Sequence, residues 1–228
     1  VEDVVSAAYL SLLLADGRLP TGAHTQSAGV EPALAHGMLL EQIPDYLVAR
    51  LQSVTEVEAA AAVVTRQVWL DTCGDDRRRE LTRVDIAWRV RTVSDALREA
   101  SDLLGRSYLR MAAAVWDLST LTAPPQRVWC RAVVIGGAAA AAGLSAAETA
   151  RLVAFEDVQT VVSAALKLVP FDPSQGVRWS VAAGTEVEEM VQRVVPVRTV
   201  ADLPAHSAPL IEQWGQRHRM TERRLFRA

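Results

Sequence analysis

Asparagine is absent from this chain, lysine occurs once, at Lys167, and cysteine only twice, at Cys73 and Cys130. The cysteines stand far apart and outside any C-x-x-C pattern, which argues against a disulfide framework or a zinc site and for a reduced, incidental pair. Scarce lysine beside abundant arginine and alanine reads as a compositional bias, so a single arginine carries no functional message by default. No Gly-Lys-Ser/Thr follows a glycine-bearing turn, which removes a nucleotide-binding P-loop and with it ATP or GTP hydrolysis by this chain. Aromatics are few, 5% of the residues against 50% hydrophobic, and Ala and Val are prominent. That balance suits closely packed helices better than a β-sandwich.

Long hydrophobic runs are missing as well. The longest, 132–144 (AVVIGGAAAAAGL), is too short to span a bilayer and is flanked by Arg131, so no membrane segment is expected. The opening Val1-Glu2-Asp3-Val4 is acidic where a signal peptide is basic, which gives the expectation of a cytoplasmic protein. The net charge of −3 carries no global basic signal for nucleic acid.

What is present is helical pattern. The 228 residues fit a single all-α domain over 1–228, of roughly eight to ten helices, with 217–228 as a tail. The pattern predicts a buried helix over Val4–Ala15 stopped at Asp16-Gly17, a short helix from Ser27 to His36 closed by Gly37, and one long helix from Pro44-Asp45 towards Asp71. Cys73–Arg79 reads as a polar connector, followed by helices over Glu80–Trp88 and Ser94–Trp116. Pro124-Pro125 opens the next helix, whose Gly136-Gly137-Ala138 core lets another helix approach closely. The capping box Ser145-Ala146-Ala147-Glu148 starts a helix running to Lys167 or Leu168. Asp172-Pro173 caps another that Pro196 ends, and the last begins near Ser207-Ala208-Pro209.

Three places invite chemistry. Between the first two helices lies LPTGAHTQSAGVE (19–31), with His24, Ser27, two glycines and Glu31 in one turn region. Thr25-Gln26-Ser27-Ala28-Gly29 is one residue from G-x-S-x-G, which raises a serine-type hydrolase using Ser27 and His24. A nucleophile elbow, however, needs a preceding strand, and Ser27 also suits an N-cap for the helix that follows. His24, His36, His206 and His218 form no close-spaced ligand pair, so neither a bound metal nor a cofactor is expected. On the helix begun by the capping box, Leu152, Phe155, Val162 and Leu166 follow core spacing, while Glu156, Thr160, Ser163 and Lys167 share another face. That stripe is either an ordinary solvated face or a partner-binding one. Last, 217–228 (RHRMTERRLFRA) is basic with an apolar Leu225-Phe226 pair. It reads as a frayed end, as a tail that orders on a partner and buries the pair there, or as a scaffold's contact to acidic ligands such as RNA.

Taken in order, these pieces resemble the UreF-type urease accessory proteins. LPTGAHTQSAGVE is similar to a family segment through Leu19, Pro20, Gly22, Ser27, Gly29 and Glu31, with Val30 in place of Leu. REASDLLGRSYLRM (98–111), VSAALKLVP (162–170) and the terminal Arg217-His218 with 224–227 (RLFR) match further segments, so the resemblance covers nearly the whole chain. Departures are Thr25-Gln26 before Ser27, Pro170 to Val177 after the long helix, and Arg219 after His218. The resemblance implies an all-helical, non-enzymatic adaptor in which Pro20, Gly22, Ser27, Gly29 and Glu31 form a structural joint. It further implies a homodimer that binds the UreD (UreH) accessory protein, recruits the UreG GTPase and acts in nickel insertion into the urease apoenzyme. By the same carry-over, Arg217, His218, Arg224, Leu225 and Phe226 belong to the segment ordered against UreD, and Lys167, with its stripe, to the face that docks UreG.

Overall fold

A computed structural model describes residues 5–124, 127–219 and 225–226. Along the chain come α1 (Ala7–Leu14), α2 (Val30–Ala35), α3 (Ile43–Leu51), α4 (Val54–Asp71), α5 (Gly74–Arg91), α6 (Asp95–Ala112), α7 (Ser119–Thr122), α8 (Arg131–Ala141), α9 (Ala146–Leu168), α10 (Pro173–Val194) and α11 (Pro209–Arg219), with 3-10 turns at Ala23–Thr25 and Leu40–Gln42. Ten of these helices have six residues or more, α7 is a single turn, and no strand occurs among the described residues. The all-α expectation therefore holds.

The middle of the molecule is α8. Every residue from Arg131 to Ala140 is buried, as expected of a helix that is apolar all round. It packs on α4 and α6, while α4 also packs on α9 and α5; α10 covers α9 and α3, and α11 lies on α2 and α6. Small residues make the α4–α8 contact close. A methyl group at Gly136 would sit 2.4 Å from the Ala62 carbonyl oxygen of α4, so a larger residue there has no room. Local signals set the ends of the outer helices. Ser145 and Glu148 close a reciprocal capping box on α9 (3.2 and 2.7 Å), Asp172 caps α10 at 2.9 Å, and Ser94 caps α6 at 3.4 Å.

Several expectations are corrected. The segment after Pro44 is two helices, α3 and α4, broken at Gln52-Ser53. Ser53 has φ −139 and ψ −101 and turns its hydroxyl back onto the Ala49 carbonyl, a break with no Pro or Gly to announce it. The polar connector is instead the first turns of α5, where Asp75 and Asp76 suit a helix N-terminus. The helix expected at Pro124-Pro125 starts at Arg131, after the short α7; Pro125 lies outside the described residues. The first helix is not buried: Leu14 is its one buried residue, and Tyr9 and Leu12 are 61% and 74% exposed, because α1 rests only lightly on α9. On α9, Leu152 and Val162 are core, but Phe155 and Leu166 reach the surface. The core of α9 is wider, adding Val153, Val158, Val161 and Ala165.

Candidate functional site

The joint at 19–31 owes its shape to left-handed backbone. Gly22 and Gly29 have φ 83 and 82, and Ala28, immediately before Gly29, has φ 51. Gly29 is needed twice over, since a Cβ there would lie 2.7 Å from the Tyr46 hydroxyl. Tyr46 and Arg50, both on α3, donate to the Ala28 carbonyl at 2.6 and 2.9 Å. Arg50 in turn forms a buried bidentate pair with Asp157 of α9 (2.9 and 2.6 Å), and Thr55 adds a third bond to that carboxylate at 2.8 Å. Burial pushes the Asp157 carboxyl up, but the Arg50 charge and the hydrogen bonds from Arg50 and Thr55 outweigh it and hold it below its ordinary value. The joint is thus fastened to α3 and, through Arg50, to α9.

Ser27 does not cap α2. Gly29 occupies the N-cap position without a side-chain bond, and the fully buried Ser27 hydroxyl has no hydrogen-bond partner among the described residues. Ser27 is thus enclosed within the joint rather than presented at the surface. His24 is exposed, and its carbonyl receives the Lys167 ammonium at 3.4 Å. His36 bonds within its own turn to the Pro32 carbonyl at 2.7 Å, and His206 lies 3.6 Å from the distant Glu56 of α4. Among the described residues no three His, Cys, Asp or Glu side chains are grouped to hold a metal ion. Cys73 is exposed. Cys130 is buried, and burial together with the Asp85 carboxylate pushes its thiol well above its usual range.

Beside the joint lies a buried charge cluster. Arg131, at the start of α8, holds Glu58 of α4 through two 2.8 Å bonds and reaches Glu156 of α9 at only 3.3 Å. With the Arg50–Asp157 pair, three carboxylates face two guanidinium groups, and Glu156 has the weakest counter-charge. Burial, opposed by Arg131 and reinforced by the Glu58 and Asp157 charges, pushes the Glu156 carboxyl up to about 7. The buried Tyr108 hydroxyl has no partner among the described residues, and burial plus the Glu156 charge drive it well above its usual range.

Two cavities flank this cluster. One of about 100 Å³ reaches Arg50, Glu58, Arg131 and Asp157; the other, of about 200 Å³, is lined by His24, Glu156, Ser163, Lys167 and Phe226. They share Ala23, Gln26 and Thr160 as their common wall, and the Gln26 side-chain oxygen is buried there with no partner among the described residues.

Phe226 of the tail lines the second cavity. Glu31 accepts the backbone N–H of Leu225 at 2.6 Å and of Phe226 at 2.9 Å, one on each carboxylate oxygen. His218 Nε2 lies 3.1 Å from the Phe226 carbonyl and 3.4 Å from Glu31. The Phe226 ring is 4% exposed, with the Lys167 ammonium 5.4 Å from its centroid.

The structure therefore unites what the sequence left separate: the joint (Gly22, Ser27, Gly29, Glu31), the α9 stripe (Glu156, Thr160, Ser163, Lys167) and His218 with Phe226 of the tail. Pro20, Arg217 and Leu225 are exposed, and Arg224 lies outside the described residues. The stripe is graded: Glu156 and Thr160 are half-buried, whereas Ser163 and Lys167 are exposed. Sequence reasoning missed Arg50, Glu58, Tyr108, Arg131 and Asp157. The available signal was an arginine inside or abutting an apolar helix, as in 43–51 (IPDYLVARL) and at Arg131.

Such a molecule belongs to the class of all-α proteins with a cleft between a loop and a long helix, and several of its buried polar groups join one helix to another. The sequence model of the UreF family matches residues 40–183. Proteins named "Urease accessory protein UreF" from Mycobacterium marinum and Mycolicibacterium vanbaalenii are each 32% identical over 220 residues, covering 94% of this chain and 96% of theirs. The protein of that name from Mycobacterium tuberculosis is 31% identical over 217 residues. This chain belongs to the UreF family of urease accessory proteins.

Proposed function

We propose that this chain is a non-enzymatic adaptor in urease maturation, one that binds the UreD (UreH) accessory protein, recruits the UreG GTPase and so serves nickel insertion into the urease apoenzyme. It acts in the cytoplasm as a homodimer. Family membership over nearly the full chain supports the urease role. The observation that carries the adaptor reading is the meeting of tail, joint and α9 stripe around one cleft. Exposed Leu225, with Arg217 and Arg224, offers the tail's contact to UreD, while exposed Lys167 and Ser163 offer UreG a polar face beside it. Phe226 and His218 serve the same segment from inside, by fixing its course.

The test is co-purification of UreD and UreG with the full-length chain. Lys167→Ala is expected to lower UreG recovery several-fold while UreD recovery stays unchanged. Leu225→Asp is expected to lower UreD recovery. Unchanged recovery of UreG with Lys167→Ala, in a chain that still captures UreD, would return the stripe to an ordinary solvated face.

A further inference from the structure

We propose that His206 is a proton-operated latch, which fastens the connector between α10 and α11 onto α4 when its ring is charged and releases it when the ring is neutral. The latch closes on a buried cluster that is short of positive charge. Glu56 of α4 and Glu186 of α10 are both buried, and they share one guanidinium: Arg193 of α10 donates to Glu56 at 2.9 Å and to Glu186 at 2.8 Å. Gln52 of α3 adds a neutral bond to Glu186 at 2.8 Å. The other Glu56 oxygen faces His206 Nδ1 at 3.6 Å. That separation is beyond a hydrogen bond, so the attraction is one of charge, and only the protonated ring supplies it. Protonation brings two buried carboxylates a second positive charge, and histidine is the side chain that gains or loses its charge across the neutral range.

The other charged groups around the connector are engaged elsewhere. Arg91 of α5 holds the Val200 and Leu203 carbonyls at 3.4 and 3.2 Å, and Arg198 bonds the Val197 carbonyl at 3.3 Å. Asp202 accepts from the Thr199 hydroxyl at 2.8 Å, and Glu212 of α11 accepts the Ala208 N–H at 3.4 Å. The connector is therefore anchored on either side of His206 and not at it. Among the described residues no hydrogen bond takes up the N–H of Ala205, His206 or Ser207, and Pro204 has no N–H to give. The contact with Glu56 is the fastening this stretch has. Its consequence reaches a groove of about 520 Å³, which Ser207 and Ala208 line together with Met38, Tyr46 and Gln52. Gln52 also bonds Glu186, so the cluster touches both α3 and the connector at the groove's edge. A charged His206 fixes the connector side of that groove, and a neutral one leaves it free to move. This requires no partner chain, so its failure and the failure of the adaptor reading are separable.

The test is methyl relaxation on the full-length chain labelled at alanine, because methyl groups, unlike amides, do not exchange with water. Order parameters of the Ala205 and Ala208 methyl groups are measured at about pH 6 and about pH 8, on either side of histidine's ordinary range. Wild type is expected to show higher order at the acid value. His206→Gln is expected to lose that rise and to stay at the alkaline level throughout. His206→Lys, which carries the charge at both values, is expected to be ordered at both. His206 is exposed, so neither substitution threatens the fold, and unchanged Ala60 and Ala138 methyl groups in α4 and α8 keep the readings local. A pH-dependent rise that persists in His206→Gln would overturn the latch. So would a His206→Lys chain no more ordered at about pH 8 than His206→Gln.

Discussion

Glu156 is the side chain on which the buried cluster balances. It faces Arg131 at 3.3 Å while Arg131 is already occupied by Glu58, so its carboxyl is pushed from 4.5 up to about 7 by burial and by like charges nearby. A raised folded-state value means that the folded chain keeps a proton which the unfolded chain releases. This group's contribution to stability is therefore present below about pH 4.5 and lost as pH rises through about 7. Glu156→Gln removes that dependence. Urea unfolding is expected to show the variant more stable than wild type at pH 8, by on the order of 2–3 kcal/mol, relative to their difference at pH 4. Parallel pH curves for the two chains would contradict the assignment. Asp157, one residue on, is held low by Arg50 and behaves in the opposite sense, contributing stability that is lost as pH falls through its depressed value. Adjacent carboxylates on one helix thus take opposite roles, set by how much counter-charge each receives.

At the scale of elements, the α4–α8 contact has the least tolerance. Gly136 abuts the Ala62 carbonyl and Thr65 at 2.4 to 2.8 Å from where a methyl would stand. Gly136→Ala is expected to destabilise the fold by about 2–3 kcal/mol, because overpacking a filled helix interface forces backbone shifts. Thermal unfolding checks it, and an unchanged midpoint would mean that α4 and α8 pack less closely than described. This contact was legible in the sequence, since Gly136-Gly137 in an alanine run has few other readings. So were the ends of α9, α10 and α6, where Ser145, Asp172 and Ser94 act locally. The break at Gln52-Ser53 was not legible, because neither Pro nor Gly marks it and contacts beside it, such as Arg50 with Asp157, join residues 107 positions apart. The helical start of α5 was obscured because its charged first turn reads like a loop. The surface position of α1 was hidden for a different reason: its apolar composition says what it prefers but not what is available to cover it.

For the whole molecule, the joint, the α9 stripe and the tail were each visible as segments, but their meeting was not. Glu31 and Phe226 are 195 positions apart, and no spacing rule connects them. Family resemblance supplied separate roles for these segments, whereas the fold gives them a common cleft. Through the Glu31 carboxylate, Leu225 and Phe226 are joined to the loop beside the α9 stripe. The same arrangement explains why Ser27 and the two positive-φ glycines sit in a catalytic-looking sequence without catalytic geometry: they shape the turn that presents Glu31.

The measurement that tests this account most directly is reconstitution in cells that express the urease apoenzyme, UreD and UreG accompanying this chain, with and without the chain itself. The account predicts nickel-loaded, active urease only when the chain is present, with Lys167→Ala reducing the yield. Urease of equal nickel content and activity in both cases, with the chain soluble and folded, would contradict it.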